Sequence, residues 1–152
     1  MMFKCFIFCL TIVFLASNVF DAKVIGVTDG DTIVVLKEDK QQVKIRLEGI
    51  DCPESKQDFG DRAKQATSDL CFGKVVRIES TGKDRYGRTL AFVYVGKECV
   101  NKELLKSGMA WHYKKYNNDS ELAKLETEAR GKKIGLWSQA NPVAPWDWRK
   151  SK

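Results

Sequence analysis

Five β-branched runs, with one helical stretch between the third and the fourth, constrain this chain more than any other feature. KVIGVT (23–28) and TIVVLK (32–37) are broken by DGD, a turn signal, and VKIRL (43–47) follows the polar stretch EDKQQ, which predicts a meander of three strands. From Phe59 to Leu70 the period changes. Ala63, Ala66 and Leu70 recur at helical spacing, and Gly73 is placed to end the helix. KVVRIES (74–80) and TLAFVYV (89–95) alternate again on either side of the charged loop TGKDRYGR. Further on, Asn101 is expected to cap a short helix ending at Gly108. Ser120 is expected to cap a longer one ending at Gly131, with Leu122, Leu125 and Ala129 on its core face. The tail NPVAPWDWRK reads as an extended segment pinned by Trp146 and Trp148. The predicted fold is α+β: a five-stranded OB-type β-barrel with about three helices, an architecture that often presents one face to nucleic acid.

The chain is long enough, at 152 residues, to bury one core without disulfide staples. Its first residues, MMFKCFIFCLTIVFLAS, place Lys4 before an apolar run too short for a comfortable membrane span. That pattern predicts a signal peptide over 1–22, cut between Ala16 and Ala22, and a mature domain over 23–152 that is secreted or periplasmic, the alternative being an uncleaved membrane anchor. No stable membrane association is expected after cleavage, and the expected form is a monomer. Cys52, Cys71 and Cys99 remain beyond the leader. None has zinc-site spacing, so they read as packing residues or one bridge of undetermined pairing.

Lys and Arg number 26 against 20 Asp and Glu, a formal charge of +6 that favours a polyanionic partner. Against that background, IRLEGIDCPE (45–54) crowds Glu48, Asp51 and Glu54 beside Arg46. Carboxylates packed so closely need a cation or a proton to persist. In a three-strand meander the DGD turn and the exit of the third strand lie at the same end of the sheet, so Asp31 and Asp51 can converge. An all-oxygen site built from them selects a hard cation, Ca²⁺ or Mg²⁺. Pro53 biases Cys52 toward an extended backbone, which could turn its carbonyl to the metal while Glu54 faces the same space as a proton acceptor for water. Arg46 and Arg88 supply guanidinium forks that match the oxygens of a phosphodiester under attack. A ribonuclease mechanism with two histidines is excluded, because His112 is the only histidine.

DGDT, IRLEGIDCPE, DRYGRTLAFVY and VNKELLKSGMAWHY, in that order, resemble the signature blocks of the thermonuclease, or staphylococcal nuclease, family, and the resemblance runs over about residues 23–138. It implies an OB-barrel nuclease that uses Ca²⁺ to cleave DNA and RNA at the 5′-oxygen bond, leaving 3′-phosphate ends. Position by position it implies metal carboxylates at Asp31 and Asp51, a main-chain metal ligand at Cys52, a general base at Glu54, phosphate-binding arginines at Arg46 and Arg88, and nucleotide-contacting tyrosines at Tyr86 and Tyr113. Two departures stand out. Cys52 replaces a threonine of the best-known member, and the loop SKQDFG is shorter than that member's lysine-rich insertion. The rival reading is a non-catalytic nucleic-acid-binding OB module, which would be expected to have lost the acidic and arginine positions; here they are present.

Overall fold

A computed structural model describes residues 18–152. Strands β1 (Asn18–Asp29), β2 (Thr32–Leu36), β3 (Gln42–Leu47), β5 (Val75–Lys83) and β6 (Thr89–Val95) are the five long ones. The two-residue strands β4 (Ile50–Asp51), β7 (Glu98–Cys99) and β8 (Trp111–His112) were not anticipated from the sequence. The order β3-β2-β1-β5-β6 closes on itself because β3 also pairs in parallel with β6, so the expected five-stranded barrel is formed. Closure follows from the alternation. Ala22 and Val24, Ile33 and Val35, Ile45 and Leu47, Val76 and Ile78, and Ala91 and Val93 are all buried, one inward pair per strand. Irregular register between Val24 and Gly26 and between Val27 and Asp29 lets β1 bend, so that its first half pairs with β5 and its second with β2.

β1 begins five residues before the predicted start. Residues 18–22 pair with β5, and Ala22 lies in the core. The rest of the leader, residues 1–17, lies outside the described residues.

Helix α1 (Gly60–Cys71) sits where predicted. Its buried face carries Ala63 and, unexpectedly, Thr67, whose hydroxyl donates to the Gly30 carbonyl at 2.5 Å. Gly30 is thus needed for packing: a Cβ there would lie 2.7 Å from Cys52 Cβ and 2.8 Å from Ala63 Cβ. Helix α2 (Val100–Lys106) has Cys99, not Asn101, at its N-cap. Asn101 is inside the helix and fully buried. Its amide donates to the carbonyls of Glu48 and Ala91, and its oxygen accepts from Val93 N, so it ties α2 to β6 and to the exit of β3. Helix α3 (Ser120–Gly131) is capped by Asp119, which accepts from the amides of Glu121 and Leu122, one residue before the predicted cap. Leu122 and Ala129 are buried as expected, and Leu125 is packed beside them.

The tail is not extended. Pro145 opens a fourth helix, α4 (Pro145–Lys150), preceded by a 3₁₀ turn over Gly135–Ser138. Trp146 packs edge-on to Trp111 and parallel to Tyr113, with ring centroids 5.5 and 5.3 Å apart. Cys52, Cys71 and Cys99 are buried free thiols, so the packing reading holds. No helix among the described residues is long and apolar enough to cross a membrane.

Candidate active site

Three strand registers bring the charged residues together. Thr32 pairs with Arg46 across β2 and β3, and Arg46 pairs with Leu90 across the closing β3–β6 seam. The turn after β1 therefore delivers Asp31, and the residue preceding β6 delivers Arg88, to the same barrel end. Leu47 N donates to the Asp31 carbonyl at 2.9 Å, fixing the exit of β3 against that turn. Two residues on, Gly49 takes φ of +75°, a conformation that favours glycine, and the chain re-enters as β4. There Asp51 pairs with Trp111 and Ile50 with His112 of β8.

The predicted convergence of Asp31 and Asp51 is present. Arg46 Nη2 lies 3.2 Å from Asp31 Oδ2 and 3.1 Å from Asp51 Oδ1, while its Nη1 donates to the carbonyls of Leu47 and Ile50, each at 2.7 Å. All three side chains are nearly inaccessible, at 11% or less. Asp31 Oδ2 also accepts from Cys52 N at 2.7 Å, and its Oδ1 accepts from the Thr32 hydroxyl at 3.3 Å. Burial would lower the Arg46 pKa, but the neighbouring Asp31 and Asp51 outweigh it and hold the guanidinium protonated. For Asp51 the balance runs the other way. Burial, together with the like charge of Asp31, raises it to about 6 against the bonds from Arg149 and Arg46. Asp29 is raised to about 7 by burial and by Asp31, to whose amide it is bonded.

Arg88 stands beside this pair rather than in it. Asp84 organises its loop, accepting from the amides of Tyr86 and Arg88 through Oδ1 and from Arg88 Nε through Oδ2 at 2.7 Å. Arg88 Nη1 lies 3.5 Å from Thr32 Oγ1, and the side chain is 29% exposed, so it faces the same end with freedom to reach outward. Arg46 has little such freedom, since Nη1 is used by two carbonyls and Nη2 lies between two carboxylates. Glu54 is half-buried at the rim, where its amide N–H donates to Gln57 Oε1 at 3.1 Å. Glu48, part of the acidic stretch that drew attention, turns away. It accepts from Thr81 and lies 3.5 Å from Asn117.

Two residues escaped sequence reasoning. Arg149, on α4, reaches Asp51 with Nη2 2.8 Å from Oδ2 and reaches Glu54 with Nη1 2.6 Å from Oε1. Reading Pro145 as the first residue of a helix would have put Trp146 and Arg149 on one face, three residues apart. The other is Glu126, buried in α3. It accepts from His112 N at 2.5 Å and pairs with Arg130 at 3.0 Å and Lys114 at 3.3 Å, fastening β8, and through it Asp51, to α3. A glutamate on the apolar face of a helical stripe is its only sequence signal.

Beside the carboxylates runs a groove of about 780 Å³ whose lining includes Arg85, Tyr86, Tyr113, Lys114, Tyr116 and Arg149. Tyr86 and Tyr116 are 69% and 66% exposed. Trp111 is buried against Trp137, which removes it as a base-stacking surface, and one face of Tyr113 is covered by Trp146.

A barrel end with paired carboxylates and arginines, opening on a basic aromatic groove, defines the class of phosphodiester-hydrolysing nucleases. Residues 44–139 match the model of the family described as staphylococcal nuclease homologue. The chain is 44% identical over 128 residues to an uncharacterized endonuclease of Haemophilus influenzae, covering 84% of this chain and 72% of that one. It is 45% identical over 139 residues to Protein ParB of Escherichia coli, covering 84% and 78%. To a micrococcal nuclease of Shigella flexneri it is 40% identical over 143 residues, covering 87% and 82%. The chain belongs to the staphylococcal nuclease family, and its substrate is nucleic acid.

Proposed function

We propose that the protein is a Ca²⁺-dependent nuclease that hydrolyses DNA and RNA at the bond to the 5′ oxygen, leaving 3′-phosphate ends, and that it is exported as a monomer behind the apolar leader. The observation that carries this reading is the single Arg46 nitrogen shared between Asp31 and Asp51. It supports two carboxylates converging on one small volume. The donor set suits a hard cation. Carboxylate oxygens are at hand, whereas burial and the Asp31 charge push the Cys52 thiol well above its usual range and keep it neutral. Asp31, Asp51 and the Cys52 carbonyl would hold the ion, which supplies charge to stabilise a phosphate oxygen during attack.

The remaining steps fall to side chains. Glu54 takes a proton from water as the new bond to phosphorus forms. Arg88 donates to the phosphoryl oxygens as the dianionic five-coordinate centre develops, which the geometry of a guanidinium fork favours over an ammonium. The bond to the 5′ oxygen then breaks, that oxygen takes its proton from solvent water, and Glu54 returns its own proton to solvent. Arg46 keeps the two carboxylates in register. Tyr86, Tyr113 and Tyr116 line the path of the bases, where stacking on an aromatic ring tolerates any sequence.

The test is cleavage of single-stranded DNA, duplex DNA and RNA with Ca²⁺, Mg²⁺ or chelator, with the ends of the products analysed. Activity restored by Ca²⁺ and products that need a phosphatase before 3′ extension are expected. Undiminished cleavage in excess chelator, or 5′-phosphate ends, would overturn the proposal.

A further inference from the structure

Arg149 lies beyond the segment matched by the family model, yet it makes two short ion pairs at the site, 2.8 Å to Asp51 Oδ2 and 2.6 Å to Glu54 Oε1, with Nη1 also 3.3 Å from Asp51 Oδ1. One guanidinium thus covers both oxygens of a candidate metal carboxylate and one oxygen of the candidate base. The two arginines on Asp51 are held differently. Arg46 is buried and locked by two main-chain carbonyls, so it cannot leave. Arg149 is 39% exposed and rides on a six-residue helix near the end of the chain. The ion pairs are not that helix's sole attachment, because Trp146 also packs on Trp111 and Tyr113. The contacts to Asp51 and Glu54 therefore call for another explanation.

We propose that Arg149 is an internal counter-ion of the metal site, holding Asp51 and Glu54 until a divalent cation takes the Asp51 oxygens and expels it into the neighbouring groove, which releases Glu54 as well. The inference rests on the metal reading above. The cation and the guanidinium seek the same carboxylate oxygens, and like charges a few ångström apart in a part-buried site repel strongly. Both cannot stay. Arg149 also occupies Glu54 Oε1, where a water molecule would have to approach the base. Release accordingly couples metal loading to the freeing of the base. The groove offers Arg149 a destination, since a nucleic-acid phosphate bound there would replace the carboxylates as its partner.

The experiment is calorimetric Ca²⁺ titration of the full chain and of Arg149→Gln and Arg149→Lys, with tryptophan fluorescence followed in parallel and circular dichroism to confirm folding. Arg149→Gln should bind Ca²⁺ about 10-fold more tightly, because an opposing charge is gone. Arg149→Lys, which keeps the charge but not the fork, should fall between. Fluorescence of the wild type should change on loading as α4 and Trp146 shift, and this change should shrink in Arg149→Gln. Unchanged or weaker Ca²⁺ affinity in Arg149→Gln, with the wild type binding normally, would overturn this inference alone. Failure of all three proteins to bind Ca²⁺ would overturn it together with the metal reading.

Discussion

The barrel end and the groove beside it are both charged, but they are built in opposite ways. At the barrel end Asp31, Asp51 and Arg46 are buried, with Asp31 and Arg46 bonded to main chain and Asp51 bonded to Arg46. In the groove Tyr86 and Tyr116 are largely exposed, and Lys114 is 63% exposed despite its pairing with Glu126. Buried, fixed charge suits a step in which charge must already be in place when it is needed, because reorganisation is then not part of the barrier. Exposed, adjustable charge suits binding to a flexible polyanion of varied sequence, where counterion release supplies affinity. The difference teaches that one patch of formal charge contains two functions, separable by substitution.

The largest effect is expected at the buried end. Asp51→Asn removes a charge that two arginines and a candidate cation share, and cleavage should fall by about 10³-fold or more, the scale of a lost metal-assisted step. Rates in saturating Ca²⁺ check this, and near-normal turnover would show that Asp51 is not a ligand. Glu54→Gln should cost about 10²-fold in single-turnover rate with substrate affinity nearly intact, as for a general base. Equal loss in rate and binding would point to a supporting role instead.

Folding stability sharpens the comparison further. The folded pKa of Asp29, about 7, lies above its ordinary value near 3.8, so the folded protein binds more protons than the unfolded chain between those values. Ionising Asp29 therefore costs stability as pH rises through that window. Asp29→Asn lacks the cost, and metal-free melting curves should show the variant gaining on the wild type from about pH 4 to pH 7, by roughly 4 kcal/mol across the window at about 1.4 kcal/mol per pH unit. A constant difference across the range would mean that Asp29 is not held up. The groove should give the smallest single effects. Tyr116→Ala should weaken single-stranded DNA binding by about 1 kcal/mol, with the salt slope unchanged, since stacking carries no counterion term. A changed slope would place Tyr116 in the electrostatic footprint.

How much of this was legible beforehand follows from where each signal lives. The five long strands were readable because their inward pairs alternate locally, and Asp31, Asp51, Arg46 and Arg88 because DGDT, IRLEGIDCPE and DRYGR each fix a turn by short-range chemistry. What escaped depends on distant partners. Asn101 looks like a cap in its own segment, and only the carbonyls of Glu48 and Ala91 make it a buried cross-link. Gly30 reads as a turn residue until Cys52 and Ala63 crowd it. Arg149 sits in a tail whose two prolines suggest extension, and its partners lie 95 and 98 residues away in sequence.

The division between the two regions is tested most directly by single-turnover cleavage of Arg88→Lys and Lys114→Ala over a series of salt concentrations, with folding confirmed by circular dichroism. The account predicts that Arg88→Lys loses about 10²-fold in the chemical step at every salt concentration. Lys114→Ala should cleave bound substrate at the wild-type rate while binding it less tightly and with a flatter salt dependence. Should Arg88→Lys alter only salt-dependent binding and cleave normally once saturated, Arg88 belongs to the groove's electrostatics and the account of the barrel end is contradicted.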